Sequence, residues 1–138
     1  MGTWGLGTFD DDIACDWLED LHESDPIAFF VQCLDLDGDD YLEFLACIGV
    51  VCTAEVIHAV ICGPRKRVPE AVHQWIQHHP DLSVIALVPD AISGLRRVLG
   101  SDSEMLQRWE DNEPMFDDWI KSIEDLIQRL QSALVKKA

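Results

Sequence analysis

The stretch Phe44–Cys62, FLACIGVVCTAEVIHAVIC, decides the fold. Its only polar side chains of note are Thr53, Glu55 and His58, and a helix without a polar face must be buried on all sides or lie in lipid. At about 1.5 Å per residue it spans roughly 28 Å, the axis of a small domain. The other segments carry apolar stripes on one side only, as helices packed around a central one do. The expectation is an all-α, compact single-domain bundle, residues 1–138, of six or seven helices around a buried central helix.

The same stretch is long enough to span a bilayer, with acidic residues before it and Arg65-Lys66-Arg67 after it. Glu55 would then sit near the bilayer centre at a cost of about 3 kcal/mol. The amphipathic segments on either side would also lose the apolar surface they need to cover. A buried helix and no membrane association are therefore expected.

Working outward, the chain opens with MGTWGLGTFD, in which glycines alternate with Trp4, Leu6 and Phe9. This reads as a tight irregular turn with its aromatics inward. Asp10-Asp11-Asp12 supply a cap and negative charge for a first helix to about Glu23. Its inner face is Ile13, Ala14, Trp17, Leu18 and Leu21; its outer face, Asp12, Asp16, Glu19 and Glu23, is a carboxylate stripe. Asp25-Pro26 is cap plus first residue of a second helix, and DLDGDD turns into the central one. Gly63-Pro64 stops the central helix, and Arg65-Lys66-Arg67 beside its negative end reads as a solvated linker. Pro69 begins a short helix burying Val72, Trp75 and Ile76, and Pro89 another that Gly100 stops. Ser101-Asp102-Ser103-Glu104 has the spacing of a capping box. From Pro114 a last helix places Phe116, Trp119, Ile123, Leu126 and Leu130 on one side. No segment alternates as a strand would.

Composition narrows the function. A formal net charge of −16 over 138 residues argues against nucleic acid, which needs a basic face, and against anionic lipid. It favours fast encounter with a basic partner. Five cysteines without a CxxC pair read as reduced, buried thiols of a cytoplasmic protein. No signal peptide is recognisable at the N-terminus.

The run from Met1 to Asp10, with Trp4, Gly5, Gly7 and Phe9 at fixed spacing, is followed by Asp12, Asp16-Trp17-Leu18 and Asp20-Leu21. It resembles the bacterial family called domain of unknown function 4259, which pairs a WGxGxFxxD opening with a DWLxDL helix. The similarity continues through Tyr41-Leu42-Glu43, Ala54-Glu55-Val56, Val98-Leu99-Gly100 and Ser103-Glu104. The resemblance implies a small bacterial cytoplasmic protein. It carries no established activity, so it transfers no catalytic role, and His58 and Cys62 lie outside its pattern.

Several patterns invite chemistry and fall short of it. Gly5-Leu6-Gly7 lacks the preceding strand and third glycine of a dinucleotide loop, and the three aspartates behind it would repel phosphate. DLDGDDYLEFLA puts Asp35, Asp37 and Asp39 at calcium-loop positions one, three and five. It has Asp40 where glycine is required and Ala46 where the bidentate glutamate belongs; capping aspartates are the plainer reading. Glu-x-x-His recurs as Glu19/His22, Glu55/His58 and Glu70/His73, but only Glu55/His58 faces inward, which is half a di-iron site. His58 and Cys62 share a stripe, yet a helix C-terminus disfavours a thiolate.

Glu55 is then a buried carboxylate in need of donors. The candidates are the glycine-rich turn, the Trp4 indole, Arg96 and Arg97. Glu55→Ala should destabilise, and Glu55→Gln should be nearly neutral. Trp4, Gly5, Gly7, Phe9, Asp10, Trp17 and Glu55 are the structural residues of this reading. Asp12, Asp16, Glu19 and Glu23 are its partner-binding face. The function expected is a non-enzymatic, inhibitor- or immunity-like module that binds a basic protein, with no catalytic residue and no cofactor. The alternative is a metal-binding or small enzymatic domain centred on Glu55 and His58.

Overall fold

The computed structural model describes residues 12–38, 40–65 and 68–137. These form seven α-helices: α1 (Asp12–His22), α2 (Pro26–Leu34), α3 (Phe44–Cys62), α4 (Glu70–Gln77), α5 (Val88–Val98), α6 (Glu104–Glu110) and α7 (Glu113–Lys137). A short 3₁₀ turn, Ile85–Leu87, leads into α5. No strand occurs among the described residues. The all-α expectation and its central helix are borne out, α3 with the bounds read from the sequence.

Helix α3 is the axis, and all six other helices touch it. Every residue from Cys47 to Ala59 is buried. Fully burying a valine or isoleucine such as Val50, Val56 or Ile57 contributes about 2 kcal/mol each in transfer free energy. By length and composition α3 could cross a membrane, but here its apolar surface is covered by the chain's own helices. Burial fails only at the ends: Leu45 is 67% exposed and Cys62 lies at the surface, because the covering helices do not reach them.

Helix α5 packs tightly on the axis. An added Cβ on Gly94 would lie 2.8 Å from Val50 Cγ1, so this position has no room for a side chain. Helix α1 turns Ala14, Trp17, Leu18 and Leu21 inward, as its pattern predicts. The Trp17 ring lies 5.4 Å from that of Phe29 on α2, and its indole N–H points to Cys33 Sγ at 3.4 Å. At the far side Trp109 stacks on Trp119 at 5.6 Å, joining α6 to α7.

Two caps are made differently from the expectation. Asp25 caps α2 as read, its Oδ2 accepting the Ala28 N–H at 3.1 Å. Ser103 rather than Ser101 caps α6, with Oγ accepting the Leu106 N–H at 3.2 Å. Glu104 is thereby freed from a capping box, and its Oε1 accepts the N–H of Phe44 at 2.8 Å, capping α3 from another helix. This replaces the capping aspartates expected in the DLDGDD turn: Glu43 occupies the α3 cap position without a side-chain bond. The contact is possible because the two lead-ins pair. Leu42 N–H bonds Asp102 O at 2.8 Å, and Glu104 N–H bonds Leu42 O at 2.9 Å. The Phe44 N–H and then Arg108 hold the Glu104 carboxyl below the usual carboxylate range.

Candidate functional site

Glu55 sits in the middle of α3 and is 2% exposed. A carboxylate there must be matched, since burying a charge without compensation is costly. The match is Arg65. Its Nε donates to Oε2 at 2.9 Å and its Nη2 to Oε1 at 2.8 Å, a bidentate fork that uses both carboxylate oxygens. Its Nη1 donates to the Ser122 carbonyl at 3.0 Å and to Asp125 Oδ2 at 3.2 Å, both on α7. Asp125 Oδ2 also accepts from Arg129 Nε at 2.7 Å. Arg65 therefore ties the end of α3, the connection to α4 and the middle of α7 into one node.

This corrects the Arg96 and Arg97 alternatives for Glu55. Arg96 is exposed on α5, and Arg97 sends Nη1 to the Leu36 carbonyl at 3.3 Å. Arg65, read as part of a solvated linker, takes the place of these two arginines as a partner. The reason is the turn at Gly63, whose φ of 92° and ψ of 152° lie where only glycine is comfortable. That turn sends the chain back along α3, and an arginine two residues on reaches the carboxylate two turns before the helix end. A buried Glu shortly before a Gly-Pro stop, with Arg just after it, was the available signal. The fork also overturns near-neutrality for Glu55→Gln, because an amide would aim an N–H₂ donor at a guanidinium that only donates.

His58, one turn after Glu55, is also 2% exposed, and its Nδ1 has no hydrogen-bond partner. Burial lowers its pKa below the ordinary histidine value; Glu55 and Asp125 work against that, while Arg129 and Arg65 add to it. The imidazole is thus neutral at pH 7. Burial disfavours the charge on Arg65, but its bonds to Glu55 and Asp125 outweigh this and raise its pKa. For Asp125 burial pulls upward and is outweighed by Arg129 and Arg65, so its pKa is lowered.

The other sequence-derived sites fare unevenly. Asp12, Asp16, Glu19 and Glu23 are all exposed along one side of α1 and its end. The ion pairs among the described residues join Glu55, Glu104 and Asp125 to arginines and involve none of them. Trp4, Gly5, Gly7, Phe9 and Asp10 lie outside the described residues, as do the donors to Glu55 expected from that turn. Trp17 is in the core. A metal at Glu55 and His58 would have to displace the guanidinium that occupies both carboxylate oxygens. Among the described residues no group of three or more His, Cys, Asp or Glu is arranged to hold one. In the DLDGDD turn Asp35 Oδ1 is engaged by the Asp37 N–H at 3.2 Å, and Asp39 lies outside the described residues. Of the five cysteines only Cys47 and Cys52 are buried; Cys15 and Cys62 are exposed, contrary to the expectation of buried thiols. Cys15 lies beside the outer stripe of α1, and Cys62 is the last residue of α3.

Comparison with known families matches residues 2–122 to the family described as Domain of unknown function (DUF4259). No curated protein and no solved structure matches the chain.

Proposed function

The chain belongs to the DUF4259 family, and from that premise we propose that it is a non-enzymatic, acidic helical module that binds a basic protein, in the manner of an inhibitor or immunity protein. The observation that carries the reading is the outer face of α1. Asp12, Asp16, Glu19 and Glu23 stand exposed there, without an ion-pair partner among the described residues, on a chain of net charge −16. Like charges at i,i+4, as in Asp12/Asp16 and Glu19/Glu23, cost a few tenths of a kcal/mol per pair, roughly. A cationic partner would turn that cost into attraction and speed encounter. The carboxylate of Glu55 is engaged by Arg65, so the metal-centred alternative is the weaker reading. Nucleic acid and anionic lipid are disfavoured as partners by the same charge. A reducing, cytoplasmic setting suits a chain with two exposed cysteines, Cys15 and Cys62.

The test is capture of partners from the host with the full chain, followed by binding measurements with the isolated partner. The reading expects a basic protein, an affinity that falls with salt, and loss of binding when Asp12, Asp16, Glu19 and Glu23 are changed to lysine without loss of helicity. Binding that survives both high salt and charge reversal would refute it.

A further inference from the structure

The node between α3 and α7 contains one group whose charge state is not fixed. Its carboxylates, Glu55 and Asp125, are balanced by its guanidinium groups, Arg65 and Arg129. Into this balanced set the sequence inserts His58, buried, with Nδ1 unpartnered. The charged groups that act on it are Glu55 on its own helix, Arg65 on the connection to α4, and Asp125 and Arg129 on α7. Glu55 and His58 are three residues apart, so their side chains lie on one face of α3. His58 and Arg65 are thus both within the field of the same carboxylate.

We propose that the node is an acid-sensitive latch in which His58, once protonated, takes Glu55 from Arg65 and unhooks the α3–α4 connection from α7. One solvent proton binds an imidazole nitrogen; no other bond is made or broken covalently. At neutral pH the imidazole carries no charge and the arginine fork holds. In acid the imidazolium adds a positive charge beside Arg65 and Arg129 in a buried place. The nearest relief is an exchange of partners on Glu55. Arg65 is the group that leaves, because it is 13% exposed and comes from a turn, whereas His58 is fixed in the axis. Its departure removes the bonds to the Ser122 carbonyl and to Asp125, which are what attach the connection to α7 at this point.

The sign follows from proton binding. The unfolded form binds the proton at an ordinary histidine pKa, ~6.5, and the latched form only at lower pH. The latch is therefore at full strength above about pH 6.5 and weakens as pH falls through that value, by at most about tenfold per pH unit for one proton. Asp125, whose carboxyl titrates below the usual carboxylate range, does not contribute in this window.

Amide hydrogen exchange of the full chain at pH 7.5 and 5.5, read by NMR with an imidazole titration of His58, tests the proposal. Exchange of residues 122–129 is taken relative to residues 17–21 of α1, which removes the intrinsic effect of pH. The ratio should rise several-fold at pH 5.5 with a midpoint that tracks the His58 imidazole, and the Arg65 Nε–H resonance should lose its protection. In His58→Gln the ratio should not change with pH. A constant ratio in the native chain, or an equal rise in His58→Gln, would overturn the latch. Should His58→Gln fail to fold, a midpoint in the native chain that departs from the His58 titration overturns it equally.

Discussion

Replacing Arg65 by alanine should be among the most damaging single changes outside the apolar core. The substitution removes two bonds to Glu55 and two to α7. Glu55, 2% exposed, then loses the guanidinium opposite both its oxygens. Removing one partner of a buried pair costs about 3–5 kcal/mol, a large share of the roughly 5–15 kcal/mol that holds a domain together. Glu55→Ala should cost less, about 2 kcal/mol, because Arg65 keeps Asp125 and the Ser122 carbonyl and can recruit water. Glu55→Gln should fall between these, since its amide presents a donor to donors. The double replacement Glu55→Leu with Arg65→Leu should recover much of the loss, as buried pairs exchanged for apolar groups often do. Urea denaturation at pH 7.5, with unchanged m-values, reads all four. A cost under about 1 kcal/mol for Arg65→Ala, the range of a surface ion pair, would refute the buried fork. Single leucine replacements of Glu55 and Arg65 whose costs simply add in the leucine double would refute the pairing as well.

Other changes probe the frame that holds the node. Gly94→Ala should destabilise by about 1–3 kcal/mol even though alanine is the better helix former, because the new methyl would sit 2.8 Å from Val50 Cγ1. Thermal unfolding that shows an unchanged or higher Tm would contradict this close contact. Gly63→Ala should cost about 1–3 kcal/mol, since its φ of 92° with ψ of 152° is strained for any side chain. It should also loosen Arg65, so combining it with Arg65→Ala should cost less than the sum; strict additivity would separate the turn from the fork.

Much of the architecture was legible in the chain, and particular residues show why. The period of α1 and α7 and the unbroken apolar run of α3 are local properties, and burial follows from them without knowledge of any neighbour. Asp25-Pro26 and Gly63-Pro64 mark helix ends because capping and backbone strain are also local. The exposed carboxylate stripe of α1 is likewise a matter of period. Pairings were less legible. Ser103 lies two residues from the expected cap, and only the alignment of two lead-ins, Leu42 against residues 102–104, sends Glu104 to α3 instead.

For Glu55 the division is plain. The sequence by itself required that a carboxylate in the middle of an apolar helix be buried and compensated. Tertiary structure chose the partner, since a partner is selected by where the chain turns after Gly63 and by which helix lies alongside. An arginine ten residues away and an aspartate seventy residues away have no spacing that announces them. Charge pairing acts through space, whereas periodicity acts along the chain. The run Phe44–Cys62 therefore fixed the axis, and the return of the chain across it decided what its single acid would hold.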